Sequence, residues 1–383
     1  HIIQSTKRTL TPAGYNSCGT TLVPAGSIIL STRAPIGHLA LAGRPLCTNQ
    51  GCKSLSKISN NDTNYFYYHY LASVDELQAL GMGTTFLELS NQALGSFKVC
   101  LPSLEEQRSI AQFINHKTSE IDNLIADKEK LIALLQEYRQ AVISEAVTKG
   151  LDPNVKMKDS GIEWIGEIPE HWEILPTKRL FKIVNGATPN SNEPDYWDGD
   201  ILWVTPIDLN EIHGNVIIET KRRITVEGYY SCGTTLVPPG SIIISTRAPI
   251  GYIALAGNPL CTNQGCKSLV KKIKSLSPSF FYYFFLAARN ELQAWGMGTT
   301  FVELSNQSLS NLPICVPTYS EQQAIADYLD QKTSEIDSLI SGIQDSIEQL
   351  KAYRQSLISE AVTGKIDVRE FAAEGGAASG QDA

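Results

Sequence analysis

The sequence predicts an α+β protein in which two mainly-β globular units alternate with two long helices that pair antiparallel as a coiled coil. Three observations lead there. Leu104 to Thr148 runs for about twelve turns without proline or glycine. Tyr319 to Thr363 repeats that pattern 215 positions later, and Lys117-Thr118-Ser119-Glu120-Ile121-Asp122 returns unchanged as Lys332 to Asp337. The segments before the helices match as well: between Cys18–Leu55 and Cys232–Leu269, 33 of 38 positions are identical. A period of this length marks a duplicated module of globular unit plus helix, with an internal pseudo-two-fold, rather than a solenoid.

Each helix carries its own start and stop. Ser103 with Glu106, and Thr318 with Glu321, have the spacing of a capping box, in which each side chain satisfies an orphan amide of the first turn. Gly150 and Gly364 supply the left-handed residue that ends a helix. Apolar residues recur every seven positions: Ile114, Ile121, Leu135 and Val142 form one line with Leu124, Leu131 and Tyr138 beside it, and Leu329, Ile336, Ile343, Leu350 and Leu357 form the other. Such a narrow seam needs a partner helix. Lys128, whose counterpart is Ile343, is the polar intrusion that sets register. A rod on the order of 65 Å separates what it joins.

The expected boundaries are 1–103 for the first globular unit, 104–150 for the first helix, 151–318 for the second unit, 319–365 for the second helix and 366–383 for an Ala-, Gly- and Ser-rich tail. His1 aligns with Asn215, so Met157 to Gly214 has no counterpart, and the front of the first unit is expected to be missing. Within the units, Thr21-Leu22-Val23, Ser27-Ile28-Ile29-Leu30 and their copies read as strands between tight turns. Tyr65 to Leu80 and Ser279 to Trp295 read as one helix each, with aromatic runs that belong to the core.

The net charge of −8 conceals a segregated distribution. Residues 1–103 carry +3 and 219–318 carry +5, while the two helical stretches carry −3 and −5. Two basic surfaces available to a polyanion are therefore compatible with an acidic chain. The eight cysteines, four per repeat, lack the CxxC spacing and neighbouring histidines of a zinc site, and Cys47-x4-Cys52 reads as a pair of buried thiols in a reducing compartment. No apolar run is long enough to span a membrane and no secretory signal is present, so a cytoplasmic location is expected.

Catalytic signatures are absent. There is no Gly-rich phosphate loop with lysine, no Asn-Pro-Pro-aromatic methyltransferase motif, no Gly-x-Ser-x-Gly elbow and no His-Glu-x-x-His, and Pro194-Asp195 lacks the downstream Glu-x-Lys of a nuclease. The chain reads as a binder with neither metal nor cofactor. Thr84 and Thr85 in Gly81-Met82-Gly83-Thr84-Thr85, copied as Thr299 and Thr300, offer hydroxyls and methyls to base edges, or else sit in a plain hairpin. Arg33 and Arg247 either hold a guanine or phosphate or bridge strands. Asn49-Gln50 and Asn263-Gln264 either clamp an adenine or satisfy turn amides. Lys53, Lys267 and Thr205 complete the candidate DNA contacts, and Lys7-Arg8 and Lys221-Arg222-Arg223 suit phosphates.

These residues resemble the specificity subunits of type I restriction-modification enzymes. The likeness covers nearly the whole chain. It rests on the order of units and helices, on Gly161 to Trp172, on Ser31-Thr32-Arg33-Ala34-Pro35-Ile36-Gly37 followed by Thr48-Asn49-Gln50-Gly51-Cys52-Lys53, and on Ile143-Ser144-Glu145-Ala146-Val147 with Ile358 to Val362. The resemblance implies target recognition domains that each read half of a bipartite double-stranded DNA site. It also implies helices that set the half-site spacing and bind two methyltransferase subunits, with motor-nuclease subunits completing the restriction enzyme. Adenine methylation from S-adenosylmethionine would then belong to the partners. Family members usually carry dissimilar recognition domains, whereas these two nearly coincide, which predicts a palindromic interrupted target. The rival readings are an architectural coiled-coil adaptor without DNA specificity and, ranked last, an enzyme using Cys47 and Cys261 as nucleophiles.

Overall fold

The computed structural model describes residues 1–371 apart from 34, 58–59, 84–86, 213, 248, 297–302 and 370. Thr84, Thr85, Thr299 and Thr300 therefore lie outside the described residues. The chain divides into two compact units, His1–Leu131 with Gly342–Ala383, and Ile132–Ser341. Each unit consists of a globular part, the N-terminal half of the helix that follows it and the C-terminal half of the other long helix.

In unit 1 a four-stranded sheet is built from β1 (Ile2–Ile3), β2 (Ile28–Ser31), β3 (Leu39–Ala42) and β4 (Cys52–Leu55), in the order β1-β3-β2-β4. β1 runs parallel to β3 and the other pairs are antiparallel. The Ile-Ile-Leu run of β2 has the β-branched content of a central strand and is buried along its length up to Ser31. Helix α1 (Thr63–Ala72) lies on this sheet, and Tyr65, Tyr67 and Tyr68 join Ile28 in the core. It ends at Ser73, and Val74–Ala79 forms a separate short helix, so the single helix expected over Tyr65 to Leu80 is broken. The strand expected at Thr21 to Val23 is reduced to one bridge, Val23 with Leu46.

Unit 2 repeats the plan and adds to it. Its two larger sheets are built from β5 (Phe181–Asn185), β6 (Trp197–Val204), β7 (Val216–Ile217), β8 (Arg222–Ile224), β9 (Ile242–Ser245), β10 (Ile253–Ala256), β11 (Leu260–Thr262) and β12 (Cys266–Lys271). One sheet runs β7-β10-β9-β12-β5 and a second runs β8-β6-β11. The element corresponding to α1 is α2 (Pro278–Ala287), with Phe280 through Phe285 all buried; it too stops early, at Ala288. The outer edge of β12 is covered by β5 in antiparallel register, Ser268 opposite Val184.

The long helices span Leu104–Lys149 (α3) and Tyr319–Val362 (α4). Both capping boxes form: the Ser103 amide donates to Glu106 at 2.9 Å and the Thr318 amide to Glu321 at 3.0 Å. Gly150 and Gly364 follow with φ of +76° and +74°, the left-handed backbone that lets the chain leave the helix. Within each unit the two helix segments run antiparallel. In unit 2, Ile143 and Val147 pack with Ile325 and Leu329; in unit 1, Ile110 and Ile114 pack with Ile358 and Val362. One ion pair occurs in both units at positions 215 apart: Arg139 with Asp337 at 2.9 Å and Arg354 with Asp122 at 3.0 Å. Ile114, Ile121 and Ile336 are buried in the seam, and Lys128 is partly buried there. The second line of the seam differs from expectation: Thr118, Ile125, Ile132 and Arg139 turn inward, whereas Leu124, Leu131 and Tyr138 are exposed. The 3.5-residue repeat places inward residues three or four apart, which selects Thr118 and Ile125 on either side of Ile121.

The globular parts are tied to the helices by the same pair of residues. Gln107 Oε1 accepts the Asp62 amide at 2.8 Å, and its counterpart Gln322 accepts the Ser277 amide at 3.0 Å. Their Nε2 atoms donate to the carbonyls of Pro102 and Pro317. Both glutamines are buried, so these bonds fix the domain helix on the long helix. Among the described residues no helix is long and apolar enough to cross a membrane.

Candidate nucleic-acid interface

A polar cluster at the end of the central strand recurs in both units. In unit 2, β9 ends at Ser245 and the chain continues through Thr246 to Arg247. The Thr246 amide donates to the Gly265 carbonyl at 2.8 Å, and the Leu304 amide donates to the Thr246 carbonyl at 2.8 Å, so three separate chain segments meet there. Arg247 forms an isolated antiparallel bridge with Glu303. Its Nε donates to Glu303 Oε2 at 3.1 Å, while the buried Lys267 reaches the other carboxylate oxygen at 3.3 Å. Burial works to raise the Glu303 pKa, but hydrogen bonds from Arg247 and Lys267 outweigh it and hold the carboxyl below its ordinary value. The carboxylate is therefore ionised at neutral pH and fixed from two sides.

Unit 1 reproduces this arrangement. The Thr32 amide donates to the Gly51 carbonyl, the Leu89 amide donates to the Thr32 carbonyl, and Arg33 Nε lies 3.1 Å from Glu88. Lys53 is only partly buried. An open groove of about 1570 Å³ runs past Arg8, Arg33, Asn49, Gln50 and Lys53. Cationic and amide groups lining a wide groove are suited to a polyanion rather than to a small apolar ligand.

The other sequence candidates divide. Asn49 and Asn263 spend their Oδ1 atoms on the amides of Gly51 and Gly265, the turn-stabilising alternative. Gln50 is exposed, and Gln264 accepts a hydrogen bond from Thr188. Lys267 is inside the unit and is committed to Glu303, because the strands beside it exclude water. Thr205 is the N-cap of a short helix, its amide and hydroxyl both donating to Asp208 at 2.8 and 2.6 Å, and Asp208 also accepts the Lys221 amide. Lys221 pairs with Glu211.

Arg222 stands apart. Its guanidinium carbon sits 3.5 Å from the ring centroid of Trp197, and Trp197 meets Trp203 edge-on at 5.0 Å. A cation on an indole face keeps its charge and loses rotational freedom. The cysteines expected to be buried are so only in unit 2: Cys261 and Cys266 are buried, whereas Cys47 and Cys52 are partly exposed. His171 bonds the capping residue Glu321 at 2.9 Å. No group of three or more His, Cys, Asp or Glu side chains among the described residues is placed to hold a metal.

The residues that sequence reasoning passed over are Glu88, Glu303 and Trp197. The two glutamates were visible as part of the repeated Glu-Leu-Ser-Asn-Gln, but their partners are more than 30 residues away and only the fold joins them.

Comparison with known proteins agrees with this architecture. The family model for the type I restriction modification DNA specificity domain matches residues 3–133 and 169–349. The MjaIX specificity subunit of Methanocaldococcus jannaschii is 37% identical over 166 residues, 43% of this chain and 38% of that protein. The MjaVIII specificity subunit of the same organism is 25% identical over 344 residues, 88% of this chain and 77% of that protein. The putative MjaX specificity subunit matches over 62% of its length, so the chain spans less than two thirds of MjaIX and MjaX. Among solved structures, a chain from work on assembly and conformational transition of the type I R-M system superposes with a TM-score of 0.74 at 18% identity, covering 91% of this chain and 85% of that one. The HsdS subunit of Thermoanaerobacter tengcongensis gives 0.55 at 19% identity, covering 90% and 82%. Both share the fold. With two matched segments that together take in most of its length, the chain belongs to the type I restriction-modification DNA specificity family.

Proposed function

We propose that this chain is the sequence-reading subunit of a type I restriction-modification enzyme, acting in the cytoplasm on double-stranded DNA. Each globular unit reads one half of a bipartite target, and the half-sites are inverted copies separated by a gap. The observation that carries this reading is the duplicated strand-end cluster. Arg33 with Glu88 and Arg247 with Glu303 have the same 3.1 Å separation and the same bridge geometry. Units with the same reading groups favour the same half-site.

The methyl and nuclease chemistry is supplied by other subunits: methyltransferase subunits, two of them by the symmetry of the repeat, and motor-nuclease subunits. Unpartnered apolar side chains on the long helices support a protein partner there. Unit 1 exposes Leu124, Leu131 and Tyr353, and unit 2 exposes Leu134, Tyr138 and Leu339. Leu124 and Leu339 are repeat counterparts, as are Tyr138 and Tyr353. An apolar row repeated in both helices is the mark of a recognition surface used twice.

The test is to co-express the chain with its methyltransferase partner and map methylated adenines across the host genome. The expected result is one interrupted palindrome. An asymmetric interrupted motif would retain DNA reading but remove the equivalence of the two units. A stable complex that methylates without any motif would defeat the reading.

A further inference from the structure

The DNA-recognition reading leaves open how a single arginine in each unit distinguishes a base edge from the phosphates around it. An arginine on a basic surface is drawn to whichever phosphate is nearest, because the attraction is long-ranged and carries no sequence information. Base reading requires the planar donor edge to be held in one orientation before DNA arrives. In unit 2, Arg247 is about half exposed and one of its two hydrogen-bonding edges is already used: Nε is bonded to Glu303. Among the described residues Glu303 is the only partner of that guanidinium, which leaves the edge formed by the two Nη atoms.

Glu303 is not free to follow Arg247. Its other oxygen is held by Lys267, whose side chain is 6% exposed and whose Nζ also reaches Thr246 Oγ1 at 3.5 Å. The backbone bridge between Arg247 and Glu303 fixes both Cα atoms as well. The order of restraint runs from buried lysine to carboxylate to arginine. Arg247 and Lys267 share that one carboxylate, so the cluster keeps a net positive charge, and what Glu303 adds is the direction of the guanidinium. What remains is a planar pair of donors, which matches the O6 and N7 acceptors of guanine in the major groove.

We propose that Glu303 is a positioning residue for base recognition: anchored by buried Lys267, it holds the Nε edge of Arg247 so that the Nη edge is presented to a guanine of the half-site. Glu88 does the same for Arg33 in unit 1. There Lys53 is only partly buried and forms no ion pair with Glu88 among the described contacts, so the restraint is weaker. This inference rests on the DNA-recognition reading above.

The test uses the full chain in complex with its methyltransferase. Binding is measured on duplexes carrying the mapped target and each single base-pair variant, over a range of salt concentrations. Arg247→Ala is expected to relax one guanine position in the unit 2 half-site by about tenfold or more, the scale of a bidentate arginine contact. It should leave the salt slope changed by less than one phosphate contact. Glu303→Ala is expected to relax the same position by about tenfold and to tighten binding to non-cognate DNA, since a negative charge is removed and the freed arginine reaches phosphates. A purely structural role for Glu303 predicts no such tightening. Because Glu303→Ala leaves a buried lysine without its counter-charge, it is also made together with Lys267→Met.

In the Arg247→Ala background, Glu303→Ala should have no further effect on that position. Glu88→Ala should relax the matching position of the other half-site by a smaller factor. The proposal is overturned if Arg247→Ala relaxes no position, if the folded Glu303→Ala and double variants discriminate as the parent does, or if the Glu303→Ala effect persists without Arg247. A parent complex that shows no sequence preference would instead defeat the DNA-recognition reading itself.

Discussion

Units 1 and 2 contain almost the same 38-residue block, yet they bury it differently. Every residue of β4 in unit 1, Cys52–Leu55, is partly exposed, whereas Cys266 through Leu269 of β12 are fully buried. The sequences Cys-Lys-Ser-Leu are identical. The difference comes from neighbours far away in the chain: β5 covers the edge of β12, and β6 pairs with β11. Among the described residues no strand occupies the outer edge of β4. A residue's burial is thus a property of what packs on it, and copying a strand does not copy its environment.

The largest expected consequence concerns the thiols. Burial pushes the Cys261 thiol up to about 11 and raises Cys266 as well, and both are shielded. Alkylation of the folded chain of residues 1–383, followed by mass spectrometry, should label Cys47 and Cys52 faster than Cys261 and Cys266 by a factor on the order of 10³, because the latter react only when unit 2 opens. Equal rates would show that the two units are covered alike.

Next comes Trp172→Ala. Trp172 is fully buried in unit 2, edge-on to Phe280, with its Nε1 donating to Glu321 at 3.1 Å. Its loss should cost unit 2 about 3–5 kcal/mol, read as a fall in amide protection there, with unit 1 amides far less affected. Uniform loss in both units would mean that they unfold as one.

A change of about 1–3 kcal/mol is expected from Gln107→Ala and from Gln322→Ala, the first leaving a partly buried amide and carbonyl unpaired and the second buried ones. Both glutamines hold the same two backbone groups, so the costs should agree to within about 1 kcal/mol, with Gln322→Ala the larger because its partners are buried. A difference larger than about 1 kcal/mol would break the equivalence of the two helix junctions.

The smallest effect is a pH dependence confined to unit 1. His69 stands where unit 2 has Phe284; its Nε2 accepts the Cys100 amide at 3.0 Å and its buried Nδ1 has no hydrogen-bond partner. Burial lowers its pKa from the ordinary 6.5. The unfolded chain then takes up a proton that folded unit 1 resists, so stability is full above about pH 6.5 and declines as pH falls below it, by at most about 1.4 kcal/mol per pH unit. Thermal unfolding at pH 7 and 5.5 should show unit 1 weakening relative to unit 2, and His69→Phe should abolish the difference.

Local chemistry made much of the fold legible. Ser103 with Glu106 and Thr318 with Glu321 marked the helix starts, glycine marked their ends, and the seven-residue spacing of Ile114, Ile121 and Ile336 marked their buried line. These are rules over three to seven residues, and tertiary packing did not overturn them. Sequence reasoning was weaker where a choice depended on distant partners. The aromatic helices broke at Ser73 and Ala288, and Leu124, Leu131 and Tyr138 turned out rather than in, because the opposing helix selects which residues beside the seam are covered.

The candidate site was legible as a set of residue types and not as an arrangement. Arg33 and Arg247 were visible as arginines before a glycine turn, and their partners Glu88 and Glu303 were visible only as members of a repeated string. Lys53 and Lys267 show the limit most directly. The same lysine in the same seven-residue sequence is partly exposed in one unit and sealed beside a carboxylate in the other. By itself the sequence determined the duplication, the helices with their caps, and the inventory of polar groups, because those follow from local pattern. The tertiary structure alone decided which lysine is a buried anchor and which arginine edge is left to meet a ligand, because burial and ion pairing depend on segments that are distant in the chain and adjacent only after folding.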